Sequence, residues 1–99
     1  MDEQIGVRID RWLWAARFFR TRSLAKSAVA GGKVYVDDQR VKPAKELRVG
    51  QIVRINKDGV LCTVIVQKLS EQRGSATIAQ TLYEETANSI EQRQALISE

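Results

Sequence analysis

The residues best suited to a chemical task in this sequence are basic, and they are concentrated between Arg8 and Lys33. This segment contains seven cations and one acid, Asp10, whereas the whole chain of 99 residues has a net charge of only +4. The seven cations are Arg8, Arg11, Arg17, Arg20, Arg22, Lys26 and Lys33. Positive charge gathered in one segment is typical of a protein that binds a polyanion such as a nucleic acid.

Residues for other kinds of site are scarce. The chain has no histidine, the commonest general base and metal ligand, and its single cysteine, Cys62, cannot build a zinc site with several thiolates. The phosphate-binding patterns GxxxxGK[ST] and GxGxxG do not occur. Glu84 and Glu85 are adjacent acids, but neighbours on a helix point about 100° apart. We therefore predict no catalytic residue, no metal and no cofactor, and a binding protein rather than an enzyme.

A predicted pair of helices carries the basic residues. Asp10 is expected to cap the first helix and Thr21 the second, because both side chains can accept a bond from an orphan backbone N–H. The first helix would bury a face formed by Ile9, Trp12, Leu13, Ala16 and Phe19. The second would bury Leu24, Ala25, Ala28 and Val29 and would end at Gly31-Gly32. Arg22 and Lys26 would then stand together on its outer face, where they oppose the helix dipole and indicate an anionic partner.

A small sheet is predicted after Gly32, where the apolar period changes to two. Its central residues would be Val34, Val36, Val53, Ile55, Val64 and Val66, with turns at Asp37-Asp38 and Asn56 to Gly59. Met1 to Val7 is interpreted as a frayed polar lead. Ser75 would cap a helix from Ala76 to Tyr83 with the apolar stripe Ile78, Ala79 and Leu82, and Glu84 to Glu99 would continue as a weakly docked helix. The sequence thus predicts an α+β fold, with a main domain at residues 1–69 and a C-terminal helical extension at residues 70–99.

The cellular location and the oligomeric state are predicted from features that the sequence lacks. No apolar run approaches the ~20 residues that span a bilayer, and the N-terminus lacks the apolar core of a signal peptide. A lone cysteine forms no internal disulfide, which favours a reducing compartment. We expect a soluble, cytoplasmic monomer with no membrane partner.

The segment from Arg8 to Val53 also resembles a known module. The matching residues are Arg8-Ile9-Asp10, Leu13, Thr21-Arg22, Ala25, Val29, Gly32, Val34 to Asp38 and Leu47 to Gln51. This pattern resembles the RNA-binding domain first seen in ribosomal protein S4, whose core is the alpha-L motif. Asp37-Asp38 stands where that motif has Asn-Gly. The resemblance implies a helix pair packed on a small, mainly antiparallel sheet, and a structured RNA as partner.

A closer resemblance covers nearly the whole chain. The segments Trp12 to Phe18 and Tyr83 to Thr86 are similar to the heat-shock protein fifteen family, a bacterial, ribosome-associated group with the same module. Its members often continue into a long basic tail, whereas this sequence ends at Glu99. The resemblance implies binding to ribosomal RNA of the large subunit. It also implies a part in the rescue of stalled large subunits that carry a nascent chain on tRNA.

The predicted site combines phosphate contacts with candidate base contacts. The phosphate contacts are assigned to Arg8, Arg11, Arg20, Arg22, Lys26 and Lys33, with RNA shape and 2′-hydroxyl groups selecting the target. Trp14, Phe18 and Tyr35 are candidates for stacking on unpaired bases. The alternative for Trp14 and Phe18 is packing against the C-terminal helix, and for Tyr35 it is a place on a hairpin surface.

Two other functions stay open at this stage. The chain could be the RNA-delivery appendage of a larger RNA-modifying enzyme, because the same module is attached to such enzymes. It could instead be a protein-interaction domain whose basic face meets an acidic protein. DNA is the alternative nucleic acid.

Overall fold

A five-stranded antiparallel sheet with two helices packed on one face forms the centre of the protein. The computed structural model describes residues 6–98, and the side chains of residues 6–96. The helices are α1 (Ile9–Ala15), α2 (Arg22–Ala30), α3 (Ala76–Ala79), which continues as a 3₁₀ turn (Gln80–Leu82), and α4 (Ala87–Ser98). The strands are β1 (Val7–Arg8), β2 (Val34–Val36), β3 (Gln39–Arg40), β4 (Glu46–Leu47), β5 (Ile52–Lys57), β6 (Val60–Val66) and β7 (Tyr83–Glu85).

The large sheet has the strand order β3-β2-β5-β6-β7, and every neighbouring pair is antiparallel. A separate two-stranded ribbon joins β1 to β4. The predicted α+β class, with a helix pair on a mainly antiparallel sheet, is therefore confirmed. No helix among residues 6–98 has the length and apolar character that crossing a bilayer requires.

The core lies between the helix pair and the inner face of the sheet. All six predicted central residues are at most 3% exposed: Val34, Val36, Val53, Ile55, Val64 and Val66. Trp12, Leu13 and Val29 meet them from the helices and are fully buried. Two predicted core residues are wrong, because Leu24 is 52% exposed and Ile78 is 58% exposed. Leu24 instead lines an open cleft with Lys33 and Lys57 at the end of the sheet.

The two caps predicted for the helix pair had different outcomes. Thr21 caps α2 as expected, because its Oγ1 accepts a hydrogen bond from the backbone N of Leu24 at 3.1 Å. The prediction for Asp10 is wrong, since α1 begins at Ile9, two residues before the start that a cap at Asp10 implies, and has no side-chain cap. The Asp10 carboxylate, only 3% exposed, instead accepts two hydrogen bonds from the guanidinium of Arg8. A buried carboxylate requires such a partner.

The end of α1 also differs from the prediction. We expected the helix to include Phe19, but it stops at Ala15, and Arg17 takes the left-handed conformation with φ 67°. The backbone N–H of Arg17 bonds to Trp14 and that of Phe18 to Leu13, which is the pattern of a Schellman motif. The same motif ends α2, with Gly32 at φ 78°. The stop at Gly31-Gly32 was predictable from glycine, whereas an arginine in this position carries no sequence signal.

Hairpin turns set the register of the sheet. Asp37 and Asp38 both have positive φ, 49° and 66°, as the two central residues of a type I′ turn do. Asp58 and Gly59 close the β5–β6 hairpin in the same way, with φ 54° and 82°. The first pair therefore makes the tight turn that the motif usually builds from Asn-Gly.

Both ends of the chain depart from expectation. Val7 is paired in β1 and is 6% exposed, so the frayed lead does not extend to it, and residues 1–5 lie outside the described part. Tyr83–Glu85 is a strand on the edge of the large sheet, not a stretch of helix. The predicted helix therefore begins only at Ala87, and Glu99 is outside the described residues. The boundary at residue 69 stays a prediction, although β7 pairs directly with β6.

Candidate nucleic-acid interface

Four of the six predicted phosphate-binding residues are exposed cations without an intramolecular partner. Arg20, Arg22, Lys26 and Lys33 are all exposed, and among the described residues their side chains make no hydrogen bond or ion pair. Arg20 lies in the corner between α1 and α2, Arg22 and Lys26 lie on α2, and Lys33 immediately precedes β2. We call these four residues of the helix pair and the start of the sheet the helix-pair surface.

The other two predicted residues are held in ion pairs. Arg8 donates to Asp10 at 2.9 Å, and this hydrogen bond together with the Asp10 charge raises the pKa of the guanidinium. Arg11 donates to Glu71 at 2.7 Å, although both side chains stay substantially exposed. These pairs reduce the charge that Arg8 and Arg11 can offer to an outside anion. Among the described residues, four of the six candidates are therefore free of ion pairs and two are not.

The corner that carries Arg20 is fixed by two cations that the sequence analysis did not single out. Arg73 donates to the carbonyl oxygens of Trp14 at 2.7 Å and Phe19 at 2.9 Å. Lys57 Nζ donates to the carbonyl oxygen of Phe18 at 2.9 Å and lies 5.5 Å from the ring of Phe19. Carbonyl groups in the last turn of a helix and just beyond it favour cations, so these contacts close the α1 terminus and stiffen the corner.

No local pattern in the sequence could have revealed these two contacts. Lys57 reaches across 39 positions and Arg73 across 59 positions of the chain to their carbonyl partners. Sequence position places Lys57 in a surface hairpin and Arg73 in a polar link. Only the tertiary arrangement of the hairpin and the link against α1 gives them their function.

Trp14 and Phe18 are occupied by internal contacts. The ring of Phe18 lies 4.7 Å from that of Tyr83 and 6.1 Å from that of Trp12, measured between centroids. Trp14 is half-buried, and the guanidinium of Arg73 lies 5.9 Å from the centre of its ring. Arg73 and Tyr83 belong to the C-terminal extension, against which the packing alternative places Trp14 and Phe18. They come from the polar link and from β7, however, and not from α4. Stacking of these two rings on RNA bases stays an untested prediction.

Tyr35 lies on the outer face of the sheet, away from the helix pair. Its ring is half-exposed, and the guanidinium of Arg54 lies 5.0 Å from the ring centre. Arg54 is in turn held by Asp38 at 2.9 Å. Tyr35 is therefore the one aromatic candidate of the three that does not pack into the helix side of the molecule.

A polar cluster fastens α4 to the sheet. The Glu85 carboxylate accepts hydrogen bonds from Ser89 Oγ at 2.7 Å, from Arg93 Nη1 and from Cys62 Sγ at 3.5 Å. Burial acts to raise the pKa of Glu85, but the bonds from Ser89 and Arg93 outweigh it and hold that pKa below its ordinary value. Burial and the nearby Glu85 charge raise the pKa of Cys62 to about 11, so the thiol stays protonated and unreactive at neutral pH. No group of three or more metal-ligating acidic, cysteine or histidine residues forms anywhere in residues 6–98.

Comparison with known proteins identifies relatives along nearly the whole chain. The family model of the S4 domain matches residues 7–53, which include the whole helix-pair surface. Heat shock protein 15 homolog of Aeromonas salmonicida is 49% identical over 87 residues, which are 88% of this chain and 66% of that protein. Heat shock protein 15 of Escherichia coli (strain K12) is 45% identical over 92 residues, 93% of this chain and 69% of that protein. This chain thus spans about two thirds of the length of these relatives.

A solved structure supports the same relationship. Trimeric heat shock protein 15 of Vibrio cholerae, at 2.3 Å resolution, superposes with a TM-score of 0.89 at 47% identity, covering 92% of each chain. The likeness includes the C-terminal extension, because a match restricted to residues 7–53 could not reach that coverage. The trimer is a property of the Vibrio protein, and the monomer expected for this chain stays a prediction.

Proposed function

Because this chain belongs to the heat shock protein 15 family of S4-domain RNA-binding proteins, we propose that it binds ribosomal RNA of the large subunit through the helix-pair surface. The observation that carries the proposal is the set of four exposed, unpaired cations inside the segment that matches the S4 domain. Among the described residues these four charges form no ion pair, so they do not stabilise the fold in that way. Each of them can instead attract a phosphate group of the RNA. We also propose that the protein acts in the cytoplasm, where ribosomes are found.

Binding would depend on the charge and shape of the RNA more than on its sequence. Arginine and lysine side chains on an exposed helix contact phosphate oxygens, which position the protein but carry no base information. The closed α1 terminus holds Arg20 and Arg22 at a fixed separation, so the spacing of phosphates on a folded RNA would select the site. Arg8 and Arg11 would add less, since each already has a carboxylate partner.

Charge reversal on α2 tests this proposal. The double variant Arg22→Glu, Lys26→Glu should bind large ribosomal subunits and a structured ribosomal RNA fragment at least tenfold more weakly, because two attractions become two repulsions. Its thermal stability should stay near wild type, since acids in the first turns of a helix favour the dipole by about 0.3–1 kcal/mol. Binding is measured by co-sedimentation with large subunits and by fluorescence anisotropy with the RNA fragment.

The matched control reverses two lysines beside α1. Lys45 and Lys68 are exposed, and only their carbonyl oxygens contact α1, at Ile9 and Trp12 respectively. The variant Lys45→Glu, Lys68→Glu changes the net charge equally and should weaken binding much less. Equal losses for the two pairs would show diffuse attraction in place of a surface centred on α2.

Salt dependence gives an independent measure of the contact number. Four phosphate contacts predict a slope of about −3 to −4 in the logarithm of affinity against the logarithm of salt concentration. A flat response would contradict the phosphate contacts altogether.

The more specific role is rescue of stalled large subunits that carry a nascent chain on tRNA, and we propose it from the family relationship. It predicts tighter binding to large subunits loaded with peptidyl-tRNA than to vacant ones. The same co-sedimentation assay on both preparations tests this. Equal binding would limit the function to general ribosomal RNA binding.

A further inference from the structure

A second, polar cleft opens on the outer face of the sheet, opposite the helix pair. It has a volume of about 600 Å³, within the range of sites for small ligands. Tyr35, Arg54 and Thr63 form its floor, because they are paired in one row across β2, β5 and β6. Asn88 and Gln92 form a wall from α4, and Asn56 and Lys33 border it toward the helices.

The cleft contains hydrogen-bonding groups that have no partner inside the protein. The side-chain amides of Asn56, Asn88 and Gln92, and the hydroxyl of Thr63, make no hydrogen bond among the described residues. A carboxamide carries a donor and an acceptor side by side, which is the arrangement that pairs with the edge of a nucleobase.

Three other residues that line the cleft, Tyr35, Arg54 and Lys33, can contact the base and the phosphate of a nucleotide. The Tyr35 ring and the Arg54 guanidinium offer planar surfaces of the kind on which unpaired bases stack. Lys33 supplies a positive charge for a phosphate, and no acidic side chain lines the cleft. Asp38, which pairs with Arg54, is outside that lining.

The cleft shares Lys33 with the helix-pair surface. Lys33 and Asn56 line this cleft and also a neighbouring one of about 380 Å³, whose other residues include Leu24 and Ser27 of α2 and Lys57. An RNA strand whose phosphates lie on α2 would therefore pass Lys33 and reach the cleft with its next nucleotides. We propose that the cleft binds one unpaired nucleobase of the RNA, held by Asn56, Asn88 and Gln92 and stacked beside Tyr35. The inference rests on the proposed function, since the helix-pair surface delivers the strand.

The test compares two RNA hairpins of equal length, one fully paired and one with a single bulged adenosine. The full chain should bind the bulged hairpin more tightly, as fluorescence anisotropy at fixed salt measures. The variant Asn88→Ala, Gln92→Ala should lose about tenfold on the bulged hairpin and almost nothing on the paired one. Alanine is a better helix former than either residue, so the variant should keep α4. The control Gln72→Ala, Gln80→Ala removes two exposed amides elsewhere in the C-terminal extension and should change neither affinity.

A fluorescent base at the bulge reports on stacking directly. With 2-aminopurine in place of the bulged adenosine, binding of the wild type should quench the fluorescence, Tyr35→Phe should preserve the quenching and Tyr35→Ala should remove it. If the Asn88→Ala, Gln92→Ala variant keeps the full preference for the bulged hairpin, the proposal that the cleft binds a nucleobase is wrong. The proposed binding through the helix-pair surface is not affected by that result. If Arg22→Glu, Lys26→Glu also fails to weaken either hairpin, the proposed function fails with it. The first result rejects only the cleft, whereas the second rejects the proposed function.

Discussion

The contact between Glu85 and α4 gives a prediction that can be worked out in detail from the structure. Glu85→Gln keeps the shape of the side chain but removes its charge. The carboxylate is 15% exposed and accepts hydrogen bonds from Ser89 and Arg93, which are both on α4. Ser89 Oγ also accepts a hydrogen bond from the backbone N of Thr63 at 2.9 Å. The substitution therefore weakens the link that joins α4 to both β6 and β7.

The expected loss in the free energy of unfolding follows from the number of these hydrogen bonds and from how deeply they are buried. Hydrogen bonds to a charged group contribute about 1.5–3 kcal/mol each when they are buried. Arg93 is 37% exposed and can be rehydrated, so the lower end applies to the cluster as a whole. A loss of about 1.5 kcal/mol in the free energy of unfolding corresponds to a drop of about 6–12 °C in Tm for a domain of this size.

The pH dependence identifies the charge as the cause. Because the folded-state pKa of Glu85 is lowered from its ordinary value of 4.5, its carboxylate stabilises the fold fully at pH values well above 4.5. That contribution is lost as the pH falls through the folded-state pKa. Wild type should thus exceed Glu85→Gln by the full difference at pH 7, and the difference should close in acid, where wild type itself becomes protonated.

Thermal unfolding of both proteins between pH 7 and pH 3 is the assay, and Glu84→Gln is the control. Glu84 is exposed on the other face of β7 and has only a 3.4 Å contact with Gln67, so its loss should change Tm little. A difference between wild type and Glu85→Gln that stays constant from pH 7 to pH 3 would refute the role of the charge. Equal Tm values for these two proteins at pH 7 would refute the anchoring of α4.

Two pairs of variants test the helix pair by urea unfolding. Thr21→Ala should destabilise the protein by about 1 kcal/mol, because the backbone N of Leu24 loses its cap, whereas Ser27→Ala at an exposed position of the same helix should not. Val29→Ala should cost about 2 kcal/mol because Val29 is fully buried, but Leu24→Ala less than about 1 kcal/mol. If Leu24→Ala destabilised the protein as much as Val29→Ala, the result would support the predicted place of Leu24 on the buried face of α2.

The parts of the fold that could be predicted have a local cause in the sequence. The six central sheet residues follow from an alternation of period two, which commits every second side chain to one face. The Thr21 cap and the end of α2 at Gly32 follow from single residues with strong positional preferences. The helix-pair surface was predictable in part, because exposure of Arg22 and Lys26 follows from helical spacing.

The parts that could not be predicted depend on contacts between distant segments. β7 has only three residues, Tyr83–Glu85, which is too few for a period to appear, and it forms because β6 offers an open edge. The ribbon of β1 and β4 pairs two-residue strands whose partners Val7 and Leu47 lie 40 positions apart in the sequence. The engagement of Arg11 by Glu71 arises in the same way, because the polar link returns to α1. Charge counting along the sequence cannot separate such a paired cation from a free one.

The packing of the C-terminal extension decides which aromatic residue is left for RNA. Arg73 lies over Trp14, and Tyr83 lies against Phe18, so the extension contacts both the candidate on α1 and the candidate just after it. The extension then turns through β7 and places α4 beside the outer face of the sheet, where Asn88 and Gln92 meet the row that contains Tyr35. The segment that packs against two of the three aromatic candidates therefore also builds the wall beside the third. For this reason Glu85→Gln, which acts on α4 without touching the cleft, should also reduce the preference for a bulged hairpin, whereas it should leave binding to the paired hairpin unchanged.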